Sequence, residues 1–121
     1  MATILIIDDE PAIRRMITRL LSKAGHRVIE AANGRDGVSL FRAETPDLVV
    51  VDILMPGKDG IETMRELLAI RADIRMVAIS GGGKVAGDFY LDLADLFGAQ
   101  AHLAKPFSPG DLLAIVERLL G

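Results

Sequence analysis

Residues 48–52 read LVVVD and residues 75–80 read RMVAIS, two short, nearly unbroken apolar runs that each stop at a polar residue. Apolar side chains on successive positions describe strands buried on both faces, the condition of a parallel sheet covered by helices. Outward from these runs, short apolar stretches alternate with amphipathic ones. Thr3–Ile7, His26–Ala31, Leu48–Val51, Arg75–Ile79 and Ala99–Leu103 read as strands. Ala12–Ala24 carries Ile13, Ile17, Leu20, Leu21 and Ala24 at helical spacing, with Pro11 suited to its first turn and Gly25 to its stop. Asn33 suits the N-cap of a helix running to Ala43, with Val38 and Phe41 inward. Asp59 and Glu62 have capping-box spacing, and Ile61, Met64 and Leu68 line one face of the helix they open. Val85, Phe89, Leu93, Leu96 and Phe97 form a further helical stripe. Ser108, Pro109 and Asp111 open a last helix with Leu112, Ile115, Val116 and Leu119 inward. This strict repeat predicts an α/β fold: a five-stranded, doubly wound parallel sheet with helices on both faces, one domain over residues 1–121.

The composition narrows the function classes. Half of the 121 residues are hydrophobic, enough for a core, and 26% are charged, which is far from a disordered tail. A formal charge of -3 argues against binding nucleic acid along a whole face. No run of 18 apolar residues exists for a membrane span, and MATILIIDDE has no basic segment of a signal peptide. Zero cysteines exclude disulfides, thiolate zinc sites and iron–sulfur clusters, and suit a cytoplasmic protein.

In open parallel sheets, ligands gather beyond the carboxyl ends of the strands. The first strand ends in Asp8, Asp9 and Glu10, the third in Asp52, the fourth in Ser80 and the fifth in Lys105. Clustered carboxylates repel one another, so they either hold protons or bind a cation. An all-oxygen set suits Mg²⁺, which keeps waters and accepts a phosphate oxygen. Lys105 can neutralise a phosphoryl oxygen and Ser80 can donate to another, so Asp52 reads as a nucleophile for phosphoryl transfer. Taken singly each feature is bland. An Asp pair after a strand is commonly a cap, a serine beside glycines a loop residue, and the arginines Arg14, Arg15 and Arg19 a solvated face.

Together the pieces resemble a response-regulator receiver domain of two-component signalling, of the chemotaxis-regulator type. The likeness rests on Asp8-Asp9, VVVDILMPGKDG (Val49–Gly60), AISG (Ala78–Gly81) and LAKPF (Leu103–Phe107), in this order and spacing. It implies a flavodoxin-like sheet of strand order 2-1-3-4-5. It also implies Asp52 as phosphoacceptor, Asp9 as a direct Mg²⁺ ligand, Asp8 as a ligand largely through water, and the Leu54 carbonyl as another. Ser80 and Lys105 would hold the phosphoryl group, and the Lys105–Pro106 peptide would be cis. Three positions depart from the family's commonest pattern: His102 stands where Tyr or Phe is usual, Leu54 is apolar, and Gly82 lies two past Ser80. His102 reads equally as a half-buried packing residue or, with Ser80, as a switch.

The expected activity is that of a signalling phosphoacceptor rather than an enzyme. It takes a phosphoryl group from a sensor histidine kinase or histidine phosphotransfer protein, with Mg²⁺-dependent self-catalysis and slow hydrolysis, and then changes its binding to a downstream protein. A metal-dependent phosphohydrolase with an aspartate nucleophile would want an acid two residues past Asp52, where Leu54 stands. A flavin-binding module would open its first strand into a phosphate loop, which Asp8, Asp9 and Glu10 would repel. The intact acid, hydroxyl and lysine set speaks against a degenerate scaffold. Tyr90 and Leu91 fall off the inner stripe of one helix, and Leu113 and Leu120 off that of the last. They form an expected face for a target or for a phosphorylation-dependent homodimer.

Overall fold

The computed structural model describes residues 1–53, 55, 60–80 and 98–121. In chain order its elements are β1 (Thr3–Ile7), α1 (Pro11–Lys23), β2 (Arg27–Ala31), α2 (Gly34–Glu44), β3 (Leu48–Asp52), α3 (Gly60–Ile70), β4 (Arg75–Ser80), β5 (Ala101–Ala104) and α4 (Pro109–Leu120). The strands pair in parallel in the order β2-β1-β3-β4-β5. The helical stripe of Val85, Phe89, Leu93, Leu96 and Phe97, the capping residue Asp59 and the loop Gly81–Gly83 lie outside the described residues.

The two apolar runs behave as their patterns require. All of Leu48–Asp52 is buried, as is β4 after Arg75. Their alternate side chains feed two separate cores. Val49, Val51, Met76 and Ala78 pack with Phe41 of α2 and with Met64 and Leu67 of α3. Val50, Val77 and Ile79 pack with Ile17 and Leu21 of α1 and with Leu112 and Val116 of α4. Helices α1 and α4 therefore cover one face, and α2 and α3 the other.

Local signals set the helix ends. The Asn33 side chain accepts from the Asp36 amide at 2.8 Å, and Ser108 Oγ accepts from the Asp111 amide at 3.0 Å. Gly25 adopts φ 96°, and the amides of Gly25 and His26 close α1 onto Ser22 and Leu21. That turn takes His26 out of β2, and Ala24, expected on the inner helix face, is exposed beyond the last turn. At the other edge β5 begins at Ala101 rather than Ala99. The reason is Gln100, whose side-chain Oε1 accepts from the Met76 amide at 2.7 Å in place of a strand partner. Strands β3 and β4 each extend one residue further than their apolar runs, so that Asp52 pairs in register with Ile79.

Two glycines allow close packing around the central strands. A Cβ on Gly60 would lie 2.3 Å from both the Asp52 carbonyl oxygen and Ile53 Cα, so α3 starts directly against the backbone that ends β3. The atoms nearest a Cβ on Gly37 would all belong to the Ile7 side chain, with Cδ1 at 2.5 Å. Gly60→Ala is therefore expected to destabilise the fold by about 1–3 kcal/mol, because backbone cannot swing aside. Gly37→Ala should cost clearly less, since a side-chain end can shift and alanine gains up to about 1 kcal/mol of helix propensity. Urea unfolding of both variants checks the order, and equal midpoints would contradict it.

Candidate functional site

Parallel strands put all five carboxyl ends on one rim, and β1, β3, β4 and β5 each deliver a polar group there. Asp8 follows β1 and is 1% exposed; Asp52 ends β3 at 2% and Ser80 ends β4 at 1%. Lys105 directly follows β5, its amide donating to the Ser80 carbonyl at 2.7 Å, and the Lys105–Pro106 peptide is cis. The Lys105 ammonium stands among three carboxylates. Nζ lies 2.7 Å from Glu10 Oε1, 3.0 Å from Asp8 Oδ2 and 3.1 Å from Asp52 Oδ2.

The electrostatics follow from this crowding. Burial on its own would lower the Lys105 pKa, since the charged form is taken out of water. The hydrogen bond to Glu10 and the charges of Asp52 and Asp8 outweigh that effect and push it above the ordinary lysine range. Asp8 is held by its neighbours: Oδ1 accepts from the Glu10 amide at 2.9 Å, and its carbonyl accepts from Arg14 Nη1 at 2.8 Å. Arg14 in turn pairs with Glu30 at 3.1 Å.

Among the described residues, two buried polar atoms at the rim have no hydrogen bond, besides Thr18 Oγ1 on α1. They are Asp8 Oδ2, which has only the charge of Lys105 beside it, and Ser80 Oγ. A buried polar atom left unbonded costs about 1–3 kcal/mol, so such atoms mark a place for a ligand. One carboxylate oxygen from each of Asp8, Glu10 and Asp52 lies within 4.8 Å of the others. An all-oxygen donor set with an unbonded carboxylate oxygen fits a hard divalent cation such as Mg²⁺.

The rim thus brings together Asp8, Asp52, Ser80 and Lys105 from the sequence-derived set. Asp9 is half-buried and stands outside the group of three carboxylates, while Glu10, to which the sequence reading gave no role, stands inside it. Leu54, Tyr90 and Leu91 lie outside the described residues. His102 is exposed, not half-buried, because β5 is an edge strand whose alternate residues His102 and Ala104 both lie open. Leu113 and Leu120 are half-buried, and both pack against the core shared by α1 and α4. A cavity of about 760 Å³ opens at the opposite end of the sheet, lined by His26, Asp47, Arg71, Arg75 and Glu117. Its groups are engaged locally: His26 with Glu117, Arg75 with the Leu119 carbonyl, Arg71 with the Pro46 carbonyl.

With this geometry in hand, comparison with known proteins is specific. The family model of the response regulator receiver domain matches residues 4–117. A probable transcriptional regulator ycf27 of Cyanophora paradoxa is 39% identical over 118 residues, which cover 97% of this chain and 47% of that protein. Sporulation initiation phosphotransferase F of Bacillus subtilis is 34% identical over 97% of this chain and 92% of its own length. The chain thus spans about half of the first relative and nearly all of the second. The structure of Vibrio cholerae chemotaxis protein CheY4 superposes with a TM-score of 0.88 at 26% identity, covering 98% of each chain.

The ion cluster makes a prediction about stability. Lys105→Met should lower it by about 3 kcal/mol at neutral pH, because carboxylates are left buried without their cation. A lysine whose pKa is raised on folding stabilises fully below its unfolded pKa, and that contribution is lost as pH climbs through the folded value. The gap between wild type and variant should therefore hold constant from neutrality to about pH 9.5 and narrow only above about pH 10. Urea unfolding across this range measures it; a gap that closes below pH 9 would refute the assignment.

Proposed function

Because the chain belongs to the response regulator receiver family, we propose that Asp52 accepts a phosphoryl group from a phosphohistidine on a sensor kinase or histidine phosphotransfer protein. The observation that carries this reading is the placement of the two unbonded atoms. Asp8 Oδ2 and Ser80 Oγ follow or end β1 and β4, the two strands that flank β3, and so stand on either side of Asp52. Among the described residues Ser80 Oγ has no partner, and Asp8 Oδ2 has only the Lys105 ammonium at 3.0 Å. A phosphoryl group and its divalent cation would supply one to each.

In the step itself, a carboxylate oxygen of Asp52 attacks phosphorus, the P–N bond to the donor imidazole breaks, and its electron pair stays on that nitrogen. The trigonal phosphoryl oxygens gather negative charge as they pass between donor and acceptor. Lys105 and Ser80 meet that charge as an ammonium and a hydroxyl donor. Mg²⁺, when bound, neutralises the repulsion between the acidic rim and the incoming phosphate. Asp8 and Asp52 would hold it, with Asp9 and the Leu54 carbonyl as further oxygen donors. Water later hydrolyses the acyl phosphate and returns the carboxylate, so the domain turns its own signal off slowly.

Output follows from the new dianion on Asp52. It draws Ser80 and Lys105 and so biases one arrangement of the β4 and β5 ends, which alters binding to a downstream protein or to a second copy. Tyr90, Leu91, Leu113 and Leu120 are the proposed output surface. Among the described residues no helix is long and apolar enough to cross a membrane, which accords with a cytoplasmic regulator. The likeness to a protein named a sporulation phosphotransferase supports phosphoryl traffic through this site.

Incubation with acetyl phosphate and Mg²⁺ should add the mass of one phosphoryl group to the intact protein. Asp52→Asn or chelation of the metal should abolish the gain, and Ser80→Ala should reduce it without abolishing it. Intact-mass spectrometry reads all four samples. Uptake by the Asp52→Asn protein equal to wild type would overturn the assignment.

A further inference from the structure

Glu10 occupies the N-cap position of α1, yet its side chain caps nothing. No hydrogen bond runs from it to the first turn of the helix, and Pro11 follows at the next position. Instead its carboxylate reaches over to Lys105, forming the shortest of the three contacts around Nζ. Its backbone is pinned at the rim by the amide bond to Asp8 Oδ1, while its side chain remains 56% exposed.

The three carboxylates around Lys105 are thus not equivalent. Asp8 and Asp52 are fixed on strand ends and buried, so parting either from the ammonium leaves a charge stranded in low dielectric. Glu10 can turn back into water, where its charge is solvated. An ammonium has three protons, and a phosphoryl oxygen needs one of them. The group that yields is the exposed one.

On the reading of Asp52 as phosphoacceptor, we infer that Glu10 is a positioning residue that holds Lys105 in the unphosphorylated protein and competes with the phosphoryl group for it. When the phosphoryl group forms on Asp52, one of its oxygens replaces Glu10 Oε1 at the ammonium, and Glu10 swings out to solvent. Two effects then oppose phosphorylation in wild type: the lost Glu10–Lys105 pair and the repulsion between the Glu10 carboxylate and a dianion close by. Glu10 therefore sets how much of the protein is in the phosphorylated state.

Beryllofluoride, which adds to a carboxylate as a phosphoryl mimic, tests this without turnover. At saturating Mg²⁺, Glu10→Gln should bind beryllofluoride about threefold to tenfold more tightly than wild type, the range expected from removing one charge near a partly solvated anion. Affinity for Mg²⁺ alone, titrated without fluoride, should change by less than about twofold. Added salt should tighten beryllofluoride binding to wild type relative to the variant, because it screens the exposed pair that competes. Equal or weaker beryllofluoride binding by Glu10→Gln overturns the inference. So does a large loss of Mg²⁺ affinity, which would make Glu10 a metal ligand. A wild type that takes up no beryllofluoride defeats the reading of Asp52 itself, a separate failure.

Discussion

The structure turns on a carboxylate placed at the end of a strand that is buried on both faces. Asp52 sits in register with Ile79, behind four apolar residues, where an anion without partners would be expelled from the fold. Its tolerance there depends on Lys105, brought from the far edge of the sheet, more than fifty residues away in the chain. The ammonium arrives because the Lys105 amide continues the β4–β5 ladder onto the Ser80 carbonyl. The ion pair and the sheet topology thus require each other: a parallel order of five strands is what lets the last one reach the middle one.

That arrangement concentrates unmet local rules at the rim. Asn33 and Ser108 cap their helices, and Gly25 ends α1 in the left-handed conformation. At the strand ends, by contrast, Asp8 Oδ2 and Ser80 Oγ are buried without hydrogen bonds among the described residues, and Glu10 forgoes its cap. Two of the three buried polar atoms that lack a hydrogen bond among the described residues thus fall at the rim, the third being Thr18 Oγ1 on α1, and such concentration is the mark of a site kept for a ligand rather than for stability.

Much of this was legible in the chain. Continuous apolar runs announced β3 and β4, and the order of polar groups at strand ends named Asp8, Asp52, Ser80 and Lys105. The strand limits came out one residue short because Asp52 and Ser80 look like loop residues, although both remain in the ladder. The part played by Glu10 was hidden for another reason. A glutamate before a proline at a helix start reads as an ordinary cap, and only the distance to an ammonium 95 positions later distinguishes it. His102 stands open between packing and switching because the chain does not show which face of a short edge strand is exposed; in β5 His102 and Ala104 are the exposed alternates.

The bare Cα of Gly60 has a mechanical meaning as well as a steric one. It lets the first turn of α3 rest on the carbonyl of Asp52 and on Ile53, and the Gly60 amide also bonds the Ile53 carbonyl. That corner is a fixed post with no slack to take up. On the opposite flank the Ser80 hydroxyl has no hydrogen bond among the described residues, and β5 contributes only four residues to the sheet edge. A displacement at Asp52 therefore meets fixed backbone toward α3, and toward β4 it meets a hydroxyl that can rotate. The asymmetry gives a symmetric-looking sheet a direction in which to send a displacement.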